Sequence, residues 1–249
     1  MKLKKLIKNL KPGTILLTSW LEQMDISRSL RQEYVINGWL TPIGRGAYKR
    51  FEDEVEWYAG ISALQKQANL QVYVGALTAL EMLGLSHYLR INEYKVYLFS
   101  PYKVKLPNWF IQYDWKREIE HKQTSFLSYD LGLIEYEYNG TNLQISSQER
   151  SMMECLYLTP EKIDIVECFY LMESLVNLRP DLVKKLLENC NSIKVKRLFL
   201  YMAEKADHQW LQFIDLTNIS LGSGERQIVK NGIYNSKYQL TLPKELTEL

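Results

Sequence analysis

Apolar positions in the first fifty residues recur at helical spacing and then switch to strand-like alternation. Leu3, Leu6, Ile7 and Leu10 fall at i, i+3, i+4 and i+7 with lysines between them, which predicts a short amphipathic helix over Lys2–Leu10. Lys11-Pro12-Gly13 stops it. Thr14 is placed to cap a second helix over Ile15–Met24, with Leu16, Leu17, Trp20 and Leu21 inward. After the turn Asp25-Ile26-Ser27, Ser27 is a good N-cap for a third helix over Arg28–Asn37, because its hydroxyl accepts an otherwise unpaired N–H. Leu30 and Tyr34 face the core, and Gly38 ends the helix. Strands over Leu40–Ile43 and Ala47–Phe51 flank a Gly44-Arg45-Gly46 turn, the signal of a hairpin with a bulged loop.

The pattern then predicts helices over Glu54–Ala68 and Gly75–Leu85, and strands over Tyr94–Ser100 and Asn108–Tyr113. Ile134, Tyr136 and Tyr138 alternate with Glu135 and Glu137 ahead of Asn139-Gly140, so a tight hairpin over Leu133–Ile145 is expected. Four helices follow, over Ser147–Leu158, Glu161–Leu178, Pro180–Asn189 and Ser192–Ala206, with Pro160 and Pro180 at helix starts. The chain ends in strands at Gln227–Val229 and Tyr238–Leu242. The expected architecture is α+β: a winged helix-turn-helix domain over residues 1–93, then a mixed strand and helix domain over 94–249.

Composition changes little in this picture until charge is read along the chain. An apolar share of 46 % and a charged share of 24 % suit a globular protein. No apolar run is long enough for a membrane span, and the basic N-terminus lacks the apolar core and cleavage site of a secretory signal. Cys155, Cys168 and Cys190 are too few and too scattered for a disulfide frame or a zinc site, and suit reduced thiols in a cytoplasm. The net charge of +2 conceals a segregation: residues 1–50 carry ten bases and three acids. Residues 126–178 carry nine acids and two bases, and residues 179–205 seven bases and three acids. A basic head suits a polyanion. The acidic middle suits a basic partner or a solvated face, and Lys194, Lys196 and Arg197 suit either an extension of the basic footprint or plain surface.

A recognition helix enters the major groove with its N-terminal side chains forward. Here these are Ser27, Arg28, Ser29, Arg31 and Gln32. Arg pairs bidentately with guanine and Gln with adenine, each worth about 1–3 kcal/mol of discrimination. Arg45, Tyr48, Lys49 and Arg50 on the hairpin are placed to grip phosphate, which sets affinity and register. Tyr34 and Trp39 read as core.

Ile26-Ser27-Arg28, Tyr34, Gly38-Trp39-Leu40 and Gly44-Arg45-Gly46-Ala47-Tyr48 together resemble the N-terminal domain of AbiEi-type antitoxins, the transcriptional regulators of type IV toxin–antitoxin (abortive infection) systems. Ser147–Glu154, Asp215-Leu216, Leu221-Gly222-Ser223-Gly224-Glu225-Arg226, Lys230-Asn231-Gly232 and Lys237–Pro243 are similar to that family's second domain, without its usual proline near the Ser147 helix start. The resemblance implies a non-enzymatic, cytoplasmic antitoxin that binds double-stranded operator DNA and represses its own operon. It also implies a second domain that counteracts a nucleotidyltransferase toxin without requiring a stable complex.

Other chemistry finds little support. There is no P-loop and no Gly-x-Ser-x-Gly elbow. His87, His121 and His208 have no partner at metal spacing, so no metal or cofactor is expected. Asp130 with Glu135-Tyr136-Glu137 approaches a nuclease pattern, but Glu137 stands where that pattern has Lys. Two alternatives stay open: a stand-alone winged-helix regulator whose second domain senses a ligand or partner, and a DNA-processing enzyme built on those carboxylates.

Overall fold

The computed structural model describes residues 11–85 and 95–249. The helix expected over Lys2–Leu10, and His87, lie outside the described residues.

Ile15-Leu16-Leu17 is the first place where the chain leaves its helical pattern. These residues form strand β1 (Ile15–Leu17), all three buried, and only Thr18–Gln23 becomes helix α1. The Ile15–Met24 helix expectation is therefore corrected at its start. β1 pairs antiparallel with β3 (Ala47–Arg50), Leu16 opposite Tyr48, and this tertiary pairing outweighs local helix propensity. Helix α2 (Arg28–Ile36) starts at Ser27, whose Oγ accepts the Leu30 N–H at 3.3 Å, and Gly38 follows with φ +68°. Strand β2 (Leu40–Gly44) pairs with β3 with a register shift between Pro42 and Gly44, so the sheet order is β1-β3-β2.

Next come helix α3 (Trp57–Lys66), strand β4 (Tyr73–Val74), helix α4 (Ala76–Met82) and strand β5 (Lys95–Ser100). The expected strand at Asn108–Tyr113 is instead helix α5 (Asn108–Gln112). Alternation fails there because adjacent Trp109 and Phe110 are both buried. Strand β6 (Glu118–Gln123) pairs in parallel with β5, and β7 (Leu133–Tyr138) and β8 (Thr141–Ser146) form the expected hairpin. Asn139 and Gly140 have φ of +48° and +72°, the left-handed pair that a type I′ turn needs.

The remaining helices are α6 (Gln148–Leu158), α7 (Ile165–Ser174), α8 (Pro180–Asn189) and α9 (Ile193–Lys205). Pro180 opens α8 as expected, whereas Pro160 lies in the turn before α7, whose cap is Asp164. A one-turn 3-10 helix (Gln209–Phe213) leads to strands β9 (Arg226–Gln227), β10 (Ile233–Asn235) and β11 (Leu240–Leu242), then helix α10 (Lys244–Glu248). β11 pairs antiparallel with β10 and parallel with β9. The architecture is thus mixed α+β. Among the described residues no helix is long and apolar enough to cross a membrane.

The chain divides into two compact units, one from residues 1–73, 94–123 and 135–144, the other from 74–93, 124–134 and 145–249. In the first unit, Gln67 closes the free edge of β1: its Oε1 accepts the Leu17 N–H at 2.8 Å and its Nε2 donates to the Ile15 carbonyl at 2.6 Å. Gly60 of α3 lies under the rings of Trp115 and Phe110, where an added Cβ would sit 2.7 and 2.8 Å from ring atoms. Gly60→Ala is expected to destabilise this unit by about 1–3 kcal/mol despite the better helix propensity of alanine. A thermal melt unchanged or raised in that variant would show that the rings move aside at no cost.

In the second unit α6 is the hub, buried along nearly its whole length and packed against α4, α7, α8 and α9. Two of its acids lie inside: Glu154 bonds Arg150, and Glu149 accepts from Nε and Nη2 of Arg179, both at 2.9 Å. The three cysteines are free and buried, and burial raises the Cys190 thiol pKa to about 11.

Candidate nucleic-acid interface

A small apolar cluster of Leu16, Leu21, Ile26, Tyr34 and Leu40 carries α1, α2 and the β2–β3 hairpin on one base. Tyr34 and Trp39 stack within it at 5.7 Å and 5°, so neither ring is offered to a base. The side chains that the sequence singles out divide into three groups around that base.

Ser27, Arg28, Ser29 and Gln32 are exposed at the start and along the outer side of α2. The Ser27 hydroxyl is committed to the helix cap and lies 3.0 Å from the Ser29 Oγ. Arg28, Ser29 and Gln32 therefore carry the polar chemistry of this face.

Arg31 does not join them, which corrects its assignment as a base reader. It is 4 % exposed; its Nη1 donates to the Ile26 carbonyl at 2.7 Å and its Nη2 to Glu22 Oε1 at 2.8 Å. The reason is helical phase: three residues before Tyr34, position 31 lies on the core side, and the guanidinium reaches back to close the α1–α2 turn. The signal was legible, since Leu30 and Tyr34 already marked that side as inward.

On the hairpin, Arg45 is exposed at the tip, and the turn is held to the start of α1 by the Thr18 N–H donating to the Gly46 carbonyl at 2.9 Å. Tyr48 packs against the apolar cluster. Lys49 Nζ donates to the Asp53 carbonyl at 2.6 Å, and Arg50 donates through Nε (2.9 Å) and Nη2 (2.8 Å) to Asp53 Oδ1. Asp53 Oδ2 also accepts the Gly13 N–H at 2.8 Å, so Asp53 ties the hairpin's base to the segment entering β1. The sequence reading missed Asp53 and Glu22; an acid three residues after Arg50 was the available sign of the first.

A cleft of about 750 Å³ in the same unit is lined by Glu52, Asp53, Glu54, Glu56 and Glu137 against Lys11 and Lys66, so its charge is net acidic. Gly44 fixes the other flank, because α5 lies so close that a Cβ there would be 2.6 Å from the Trp109 Cβ.

The second basic cluster neither extends a footprint nor covers a surface. Lys196 and Arg197 are 6 % and 2 % exposed. Lys194 Nζ donates to the Tyr157 and Thr159 carbonyls, and Lys196 to that of Ser220 at 3.1 Å. Arg197 donates to the carbonyls of Leu221 (2.8 Å), Gly222 (3.2 Å), Gly224 (2.6 Å) and Gln239 (3.2 Å). It therefore holds the Leu221–Gly224 segment in shape. The acidic middle is likewise only partly surface: Glu149 and Glu154 are buried, whereas Asp130, Glu135 and Glu137 are exposed. No cluster of three or more metal-ligating side chains occurs among the described residues.

No curated protein matches the chain in sequence. Among solved structures, the RV2827C protein from Mycobacterium tuberculosis is similar, with a TM-score of 0.63 and 14 % identity over 95 % of this chain and 88 % of that one. That likeness concerns the fold alone. Residues 1–91 match the family described as "Transcriptional regulator, AbiEi antitoxin N-terminal domain", and residues 93–243 match "Transcriptional regulator, AbiEi antitoxin, Type IV TA system". With both matches spanning nearly its full length, the chain belongs to the AbiEi antitoxin family of type IV toxin–antitoxin transcriptional regulators.

Proposed function

We propose that residues 1–93 act as a winged helix-turn-helix that binds operator DNA and represses the chain's own operon, while residues 94–249 counteract a nucleotidyltransferase toxin in the cytoplasm. The observation that supports this most is the outer face of α2, where Arg28, Ser29 and Gln32 stand exposed on a helix whose other face is locked into an apolar base. Arg28 reads guanine and Gln32 reads adenine in the major groove; the Ser29 hydroxyl contacts a base or phosphate. Arg45, with Lys49 and Arg50 behind it, grips the flanking phosphates, and Tyr48 holds the hairpin against the core. The activity is regulatory and antitoxic; no catalytic residue is assigned.

Quantitative gel shifts with the DNA upstream of the chain's own gene test this reading. Arg28→Ala is expected to weaken binding about 5- to 150-fold, the equivalent of losing one bidentate base contact. Arg31→Ala is expected to act differently: it lowers thermal stability by about 1–3 kcal/mol, because it removes a buried donor from the Ile26 carbonyl and the partner of Glu22. Full affinity in Arg28→Ala, or Arg31→Ala losing affinity with an unchanged melt, would reverse these assignments. The antitoxin half is tested by co-expressing the full chain with a nucleotidyltransferase toxin cloned from its own operon; absence of such a gene or of growth rescue sinks that half alone.

A further inference from the structure

Ile36 is 84 % exposed, the most exposed large apolar side chain among the described residues. It occupies the last position of α2 and is nearly opposite Tyr34 around the helix axis. Ser29, Gln32 and Ile36 are spaced i, i+3 and i+7, so they form one line down the outward face. Among the described residues of this unit the side chain is left open, while Leu30 and Val35 of the same helix are packed inward. A branched hydrocarbon at the end of a polar reading line has a natural counterpart in the major groove, where the only apolar group at a base edge is the thymine C5-methyl. Ser29 to Ile36 spans roughly 10 Å of helix, about the length of three base-pair steps.

We infer that Ile36 is a specificity-determining residue that packs against a thymine methyl at one end of the site read by Arg28 and Gln32. This rests on the DNA-binding reading above and extends it to a base that carries no hydrogen-bonding side chain opposite it. Arg28 and Gln32 supply the donors and acceptors. Ile36 supplies a contact that water cannot replace, so a cytosine at that position would lose the methyl and gain an unpaired amino group under an apolar cap.

Deoxyuridine provides the test, because it pairs as thymidine does and lacks only the methyl. The upstream DNA is amplified with dTTP or with dUTP, and the full-length wild type and Ile36→Ala are titrated against both. The wild type is expected to bind the uracil duplex about three- to fivefold more weakly, the worth of one buried methyl. Ile36→Ala is expected to bind both duplexes alike, at the level of the wild type on uracil DNA. An equal melt for the two proteins confirms that an exposed side chain was removed without loss of fold. Wild type indifferent to the methyl, or Ile36→Ala still preferring thymine, overturns the inference and leaves the DNA-binding reading intact. Absence of specific binding to either duplex overturns both.

Discussion

Glu154→Ala is expected to lower stability by about 3–5 kcal/mol, a large share of the roughly 5–15 kcal/mol that keeps a domain folded. Glu154 is fully buried in α6 and serves three partners: Arg150 Nε at 2.9 Å, Ser146 Oγ at 2.8 Å and the Ala76 N–H at 2.9 Å. Ala76 opens α4 with φ +48°, a conformation that costs an alanine energy and is held by that hydrogen bond. Arg150 also donates to the Ser128 carbonyl at 2.7 Å and to that of Leu131, so it cannot swing out when its counter-charge is gone. The cost of the single variant is therefore chiefly the loss of the carboxylate beside the buried Arg150 guanidinium, together with the bonds to Ser146 and Ala76. Urea unfolding followed by circular dichroism gives the loss. A coupled pair also requires that Arg150→Met/Glu154→Met lose clearly less than the two single variants together, since both members of the ion pair are then removed at once. Additive losses would mean that packing, not charge, is what Glu154 supplies.

Arg197→Ala is expected to release the C-terminal segment while leaving α9 in place. The guanidinium donates to four backbone carbonyls, of Leu221, Gly222, Gly224 and Gln239, and no other side chain is seen donating to them. Gly222 and Gly224 are exposed and the Gln239 carbonyl also accepts the Arg226 N–H at 2.9 Å, so water and backbone replace part of the lost bonding and the expected cost is about 1–3 kcal/mol. The Leu221–Gly224 backbone has little else to fix it, since Gly222 and Gly224 have φ of +64° and +76° and no side chains to pack. Amide hydrogen exchange is the sensitive readout. Protection should fall across residues 220–242, including the β9–β11 sheet, and stay unchanged in residues 11–73. Arg197→Lys retains the charge but not the planar fork, so it should rescue only part of the protection. Equal protection in all three proteins would show that the segment is held by its sheet and not by Arg197.

These two arginines mark where reading the sequence succeeds and where it stops. Turn and cap chemistry was legible because it is local. Ser27 caps α2, Asn139-Gly140 makes the tight hairpin turn and Pro180 opens α8 at their sequence signals. The family resemblance was legible for the same reason, in short runs of neighbouring residues. Ile15–Leu17 and Asn108–Tyr113 were misread because Ile15-Leu16-Leu17 and Trp109-Phe110-Ile111 are short unbroken apolar runs, compatible with helix or strand. The deciding partner, the edge of β3 for one and Gly44 and Gly60 for the other, lies far along the chain.

Charge misled more than hydrophobicity did. A basic or acidic run counts residues without saying which way they face. Lys196, Arg197, Arg31, Glu149 and Glu154 all enter the totals, yet all five are buried and paired. The sequence by itself determined the α+β class, most helix starts, the hairpins and the family. It also placed Arg28, Ser29 and Gln32 on one helix, because caps, turns and periodicity act over a few residues. Only the tertiary structure decided which cations face outward and which serve as internal donors. That choice depends on whether a long side chain finds a carboxylate or a row of carbonyls brought close by folding, and for Arg197 one such partner lies 42 residues away.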